Sequence, residues 1–219
     1  MNVIFDFDST IIQQEGLDVL AEICLQNDAD KIAEIRNITN MGMTGQLSMQ
    51  DSLNARLALI RAEKKDISLL VDRLIPSISK SINAIKSNSF LFPQHFYVIS
   101  GGFIEYVSPV CEMIGFLKEN IIANRFVYDD ERIFGFDESI SVSQTMGKSK
   151  AINSLNLERP VYMIGDGYTD LEVKLNGSVD YFIAFTETVS RENVMLGADA
   201  VCKDFFEVME FINEKSIKS

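Results

Sequence analysis

Five short apolar runs with strand character, Val3 to Phe7, Phe96 to Ile99, Val161 to Ile164, Tyr181 to Phe185 and Ala200 to Cys202, recur along the chain. They are separated by stretches of helical periodicity. This alternation predicts an α/β fold, a doubly wound parallel sheet with helices on both faces. In such sheets the ligand crevice lies beyond the carboxyl ends of the strands. Three of the runs end in polar, mostly glycine-bearing sequences: Asp6 to Thr10, Ser100-Gly101-Gly102, and Gly165-Asp166-Gly167-Tyr168-Thr169-Asp170. The chemistry is expected at that edge.

Between roughly residues 12 and 75 the strand signal disappears and helix follows helix. Residues 12–75 read as a small helical cap domain inserted after the first strand, and residues 1–11 and 76–219 as the catalytic core. Gly42 and Gly45 are expected to break the insertion into two halves. Ser48-Met49-Gln50-Asp51 has the form of a capping box opening a helix that carries Leu53, Leu57 and Ile60. Residues 120–143, with Asp129-Asp130 at a turn, read as a hairpin appended to the core.

The chain has 219 residues, of which 47% are apolar, enough for one sizeable core and an accessory domain. Its formal charge of −12 supplies no basic stripe for a nucleic-acid partner. The first strand starts almost at Met1 and no apolar window is long enough to span a bilayer, so no membrane role and a cytoplasmic location are expected. Three scattered cysteines, Cys24, Cys111 and Cys202, suggest neither a disulfide framework nor a zinc site. His95 is the only histidine and reads as a loop residue, which disfavours histidine-based chemistry. On so acidic a surface an anionic substrate needs local neutralisation by a metal, specific cations or helix N-termini.

Asp6 and Asp8 stand one residue apart at the end of the first apolar run. A solvated strand-end turn explains many Asp-x-Asp pairs taken alone. The other reading is chemical: two carboxylates at a strand tip can hold a hard divalent cation, one serving as nucleophile toward phosphorus and the other trading protons with a leaving oxygen. A neighbouring anion would raise the pKa of the second. Asp166 is the candidate further metal ligand. Asp170 is either a helix N-cap, a partner that orients Lys148, or both. Ser100 and Gly101 lie where a strand is expected to turn into a helix, presenting a hydroxyl and free N–H groups to an anion. Lys148 opens another helix, where the dipole disfavours a merely structural cation; the other reading is a solvated charge, for which nearby Lys150 competes.

Two residues of the helical insertion bear on the substrate. The spacing from Met49 and Ile60 puts Arg56 on an apolar helix face, and Glu15 shares a helix side with Val19 and Ile23. Either they pair with each other or reach outward, or both face the crevice, where they would read a ligand carrying a carboxylate and an ammonium beside its phosphate.

Asp6-x-Asp8-x-Thr10, Ser100 after an apolar strand, Lys148, and Gly165-Asp166-Gly167-x-x-Asp170 occur in the order of the four motifs of the haloacid dehalogenase superfamily. Over nearly its whole length the chain resembles the phosphoserine phosphatase branch of that superfamily. The resemblance implies Asp6 as nucleophile and Asp8 as general acid/base. It implies Mg2+ held by the Asp6 side chain, the Asp8 backbone carbonyl and Asp166. Ser100, Gly101 and Lys148 would bind phosphate, and Asp170 would support Lys148 and the metal shell. Glu15 and Arg56 match positions that bind the amino and carboxylate groups of phosphoserine. Met49 falls where some members carry an aromatic residue and Thr169 where some carry asparagine; both are carried as substrate-binding positions. The activity implied is a phosphoric monoester hydrolase acting on O-phosphoserine in serine biosynthesis, as a monomer or homodimer. A phosphatase or phosphotransferase for another small phosphomonoester remains as the related alternative, and a receiver-like phospho-switch as the non-enzymatic one.

Overall fold

The computed structural model describes residues 1–26, 28–87 and 94–217. The chain opens with β1 (Asn2–Phe5), continues through α1 (Gly16–Cys24), α2 (Ala29–Met43), α3 (Met49–Ile60), α4 (Lys64–Leu74) and α5 (Lys80–Ser87), and returns to the sheet as β2 (Phe96–Phe103). After α6 (Ile104–Ile114) come β3 (Ile121–Asn124), the hairpin strands β4 (Phe126–Asp129) and β5 (Arg132–Phe136), and α7 (Gly147–Ser154). The remainder alternates: β6 (Val161–Gly165), α8 (Tyr168–Leu175), β7 (Tyr181–Phe185), α9 (Glu192–Met195), β8 (Ala200–Cys202) and α10 (Phe205–Ile217).

Six of these strands form a sheet in the order β3-β2-β1-β6-β7-β8, and every pairing in it is parallel. The order reverses at β1, so the crevice of this doubly wound sheet opens at the carboxyl end of the strand that leads into Asp6. β1 and β6 are buried at every position, which is why they read as unbroken apolar runs. Their side chains alternate between the two faces: Val3 and Phe5 join one apolar cluster, Ile4 the other. On the first face Phe5 meets Phe96, Phe116 and Phe205 at ring-centroid distances of 5.4 to 5.6 Å.

The chain leaves and re-enters the sheet layer through a narrow crossing. Ile12 and Ile78 form an antiparallel bridge, Ser79 N donates to Ile11 O at 2.9 Å, and Gln13 N to Ser77 O at 2.7 Å. Beyond it, Ser48 caps α3 by accepting from Asp51 N at 3.1 Å. α2 runs through Gly42 to Met43, and the break falls at Gly45, whose φ of +76° is left-handed.

The stretch 120–143 differs from the expected single hairpin. Ile121–Asn124 joins β2 as an edge strand of the main sheet, and only Phe126–Phe136 forms the antiparallel pair. Four residues of strand, followed at once by the hairpin, merge into one alternating pattern. The turn is Asp130-Glu131, with Asp130 at φ 54°, a conformation that Asp tolerates. The hairpin edge pairs with the α3–α4 connection, where Ile133 N donates to Ala62 O and Lys64 N to Glu131 O, both at 2.9 Å. Among the described residues no helix is long and apolar enough to cross a membrane.

Candidate active site

β1 ends at Phe5, and the next residue turns its carboxylate into the crevice. Asp6 is 4% exposed; its Oδ1 accepts from Phe7 N at 2.7 Å and lies 2.9 Å from Lys148 Nζ. Lys148 stands in the first turn of α7 and reaches Asp170 Oδ1 at 2.6 Å as well. Two carboxylates therefore hold a cation where a helix dipole would repel it. Burial works to lower the Lys148 pKa, but the Asp170 and Asp6 charges outweigh it and raise the value, so the ammonium stays charged.

Asp170 is the third residue of α8. Its Oδ2 accepts from Gly167 N at 3.0 Å, satisfying an open amide at the helix start while Oδ1 holds Lys148. It orients Lys148, but it is not the helix N-cap: Gly167 occupies that position and Asp170 closes the first turn from within. Burial, then the Asp6 charge, raise its pKa.

Asp166 follows β6 on the neighbouring strand. Its Oδ1 accepts from Thr10 Oγ1 at 3.2 Å, and its Oδ2 pairs with the Arg191 guanidinium. Carboxylate oxygens of Asp6, Asp166 and Asp170 lie within 4.8 Å of one another, all buried. An all-oxygen donor set of this kind suits a hard divalent cation. The Asp8 side chain is not in that set. Its Oδ1 instead accepts from Gly16 N at 2.7 Å, at the start of α1. Burial, then Glu15, then Asp6, raise the Asp8 pKa well above the usual carboxylate range. The sequence suggested a neighbouring anion as the cause; desolvation is the larger one.

Ser100 and Gly101 belong to β2 itself. The strand continues to Phe103 through a register shift against β3, so Ser100-Gly101-Gly102 is a bulged strand end rather than the expected turn. Ser100 Oγ is fully buried and accepts from Gly102 N at 2.9 Å. A Cβ at Gly101 would stand 2.7 Å from Met49 Cε, so glycine lets the helical layer close directly onto the strand tip.

A cavity runs from these strand tips to the helices above. Asp6, Asp8, Gly101, Lys148 and Thr169 line its floor; Glu15, Thr39, Met49, Ser52 and Arg56 line the helical side. Glu15 precedes α1 instead of lying within it, and accepts from Ser9 Oγ at 2.6 Å. Burial raises its pKa. Arg56 is 8% exposed on α3. Its Nε donates to Ser52 O at 3.2 Å and its Nη1 to Thr39 Oγ1 at 3.4 Å. The Thr39 hydroxyl in turn donates to Asp18 at 2.6 Å. Among the described residues no carboxylate pairs with Arg56. Glu15 and Arg56 thus line one cavity without neutralising each other.

Sequence reasoning missed Arg191, Thr39, Ser52 and Tyr106. Arg191 lies between β7 and α9, where no periodicity marks it. Thr39 follows Ile35 by one helical turn, a spacing that could have flagged it.

A family model for haloacid dehalogenase-like hydrolases matches residues 3–173. The chain is 35% identical over 205 residues to the chloroplastic phosphoserine phosphatase of Arabidopsis thaliana, covering 90% of this chain and 66% of that one. It is 32% identical to the phosphoserine phosphatase of Homo sapiens, covering 97% and 93%. Among solved structures, a phosphoserine phosphohydrolase-like protein from Francisella tularensis superposes with a TM-score of 0.85 at 31% identity, covering 96% and 99%. With four motif segments meeting at one sheet edge and a family match over most of its length, this chain is an enzyme of the haloacid dehalogenase-like hydrolase family.

Proposed function

We propose that the protein hydrolyses O-phospho-L-serine to L-serine and phosphate through a phospho-aspartate on Asp6, as a cytoplasmic step of serine biosynthesis. The observation that carries this reading is the buried, carboxylate-free Arg56 facing the same cavity as Asp6, Lys148 and Glu15. A guanidinium held this way wants a bidentate anion, and Glu15 offers the counter-charge for an ammonium beside it. One phosphorylated zwitterion satisfies both. The names of the similar proteins agree with that substrate.

Residues 12–75 act in this reading as a cap that excludes water from the strand tips, joined to the core at the Ile12–Ile78 crossing. Asp6, Asp166 and the Asp8 carbonyl would hold Mg2+, with Asp170 behind them; the ion would supply neutralisation of the phosphoryl oxygens. Lys148 adds a fixed positive charge to the same oxygens, while Ser100 and Gly101 offer hydrogen bonds. An Asp6 oxygen attacks phosphorus as the bond from phosphorus to the serine oxygen breaks. Asp8, its pKa raised first by burial, gives its proton to that departing oxygen. Water then attacks the phospho-aspartate, Asp8 takes its proton, and Asp6 is released with phosphate.

The test is a panel of phosphomonoesters with amino alcohols as competing acceptors, followed by phosphate release. Phosphoserine should rank among the best donors by kcat/KM, with water as the acceptor. A better donor lacking the carboxylate, or transfer to an alcohol ahead of water, overturns the assignment.

A further inference from the structure

Two buried hydroxyls in the cavity have no acceptor for their protons among the described protein groups: Tyr106 Oη and Ser52 Oγ. Tyr106 is fully buried and Ser52 is 1% exposed, and both line the cavity. They come from opposite walls, Tyr106 from α6 behind the sheet edge and Ser52 from α3 in the helical layer. A hydroxyl taken from water with nothing to replace it is a standing cost, and native interiors leave few of them. Two in one cavity point to a ligand that completes them.

Both lie beside Arg56. Ser52 is one helical turn before it on the same face of α3, and the guanidinium already leans on the Ser52 carbonyl at 3.2 Å. The phenol tip reaches in from the other side between two glycines: a Cβ at Gly102 would stand 2.7 Å from Tyr106 Oη and one at Gly16 2.9 Å from it. Burial, then the Asp8 charge, raise the Tyr106 pKa well above the usual phenol range, while the Arg56 charge and the Phe103 backbone N–H beside the phenol oxygen work against them, and neither of these accepts the phenol proton. The phenol stays a neutral donor, and its charged neighbours are those of the substrate end of the cavity.

Building on the function proposed above, we propose that the Tyr106 and Ser52 hydroxyls are substrate ligands that, with Arg56, hold the carboxylate of the phosphorylated amino acid. The guanidinium supplies the charge and the two neutral donors, one from each wall, fill the remaining lone pairs of the carboxylate. The carboxylate then bridges the core and the helical layer, so a substrate with this group favours closure and one without it does not.

Tyr106→Phe and Ser52→Ala keep the ring and the backbone while removing one hydroxyl each. The measurement is kcat/KM on phosphoserine, on phospholactate, which keeps the carboxylate but lacks the ammonium, and on ethanolamine phosphate, which has the reverse pattern. Thermal unfolding checks that each variant is folded. Each hydroxyl removed should lower the preference for phosphoserine over ethanolamine phosphate by about three- to tenfold, and efficiency on phospholactate should fall in step with phosphoserine. Calorimetric affinity for the product L-serine should weaken by a similar factor. Equal losses on phosphoserine and ethanolamine phosphate, or an unchanged preference in folded variants, overturn the inference while leaving the proposed function standing. A wild-type enzyme with no preference for carboxylate-bearing donors overturns both.

Discussion

The floor and the roof of the cavity handle charge in opposite ways. On the floor, Asp6, Asp166 and Asp170 share their buried crevice with Lys148 and Arg191, and each carboxylate already has a cation within ion-pair reach. On the roof, Arg56 has no carboxylate, and Ser52 lacks any hydrogen-bond partner among the described residues. A buried charge is tolerated when paired, so the floor can stand preassembled in the folded chain. The roof leaves open valences that only a ligand can fill. In the proposed function the closed electrostatic unit is the part that handles the phosphoryl group, and the unmet hydrogen-bonding capacity is the part that would choose the substrate.

The sharpest way to break that contrast is to remove the nucleophile from the floor. Asp6→Asn keeps the shape of the side chain and leaves Lys148 its bond to Asp170. Turnover on every phosphomonoester should fall by at least about 10⁴-fold, because no other group is placed to take the phosphoryl. Phosphate-release assays alongside circular dichroism check it. Residual turnover within tenfold of the parent would remove covalent catalysis by Asp6 and reduce the floor to a binding site.

A change on the roof should discriminate where a change on the floor does not. Arg56→Ala should lower the preference for phosphoserine over ethanolamine phosphate by about 30- to 160-fold, the loss of a charge-assisted contact of roughly 2 to 3 kcal/mol. Competition between the two substrates in one assay reads this ratio directly. If both substrates suffer alike, Arg56 supports the helices rather than reading the ligand, and the two halves of the cavity are not divided by function.

The floor was legible in the sequence because it violates local expectation: acids at the tips of apolar strands and a lysine at a helix start have few structural uses. The roof was legible only in part. Arg56 stood out as a guanidinium on an apolar face, but Ser52 and Tyr106 sit at helical positions where a small polar residue or an aromatic ring is ordinary. What singles them out is the absence of a partner, a property of three-dimensional packing. Arg191 was hidden for a related reason, lying 25 residues beyond its partner Asp166 in a connecting segment. The parallel sheet showed itself in the buried runs of β1 and β6, while the edge strand β3 was too short to separate from the hairpin that follows. Ser100-Gly101-Gly102 looked like a turn because glycines usually end strands; here they let β2 bulge and Met49 close over it.

Arg191 tests how far the floor depends on being paired. Its guanidinium pairs with Asp166, a carboxylate that a divalent cation would also use. Arg191→Gln should therefore tighten Mg2+ binding by about three- to tenfold, as judged by calorimetry, since one competing positive charge is gone. Weaker binding in the variant would mean that Arg191 orients Asp166 for the ion rather than competing with it.

The smallest effect concerns stability, and its sign is shared by the two halves. Asp8, Glu15, Asp18 and Asp170 all have raised pKa values, with burial the first cause in each. A carboxyl raised in the folded state binds its proton more tightly there than in the unfolded chain. Its contribution is complete below the ordinary carboxylate range and is lost as pH climbs through the raised value. His95 works the other way, since burial lowers its pKa and protonation below its ordinary range opposes folding, but it is one group against these four and the similarly raised Glu105 and Glu172. The exposed Asp28, Glu63 and Asp137, with lowered values, lose their contribution only at pH below this window. The metal-free protein should therefore melt several degrees higher near about pH 5.5 than near about pH 8. Excess Mg2+ should flatten the slope, because a cation beside Asp8 and Asp170 favours their charged forms and so brings their raised pKa values down. Phosphoserine added to the Asp6→Asn variant should flatten it further by engaging Glu15 and Arg56 on the roof. Differential scanning calorimetry with chelator, with Mg2+ and with Mg2+ plus phosphoserine resolves the three states, and a melting temperature that rises with pH in chelator would show that the buried acids are already compensated without a ligand.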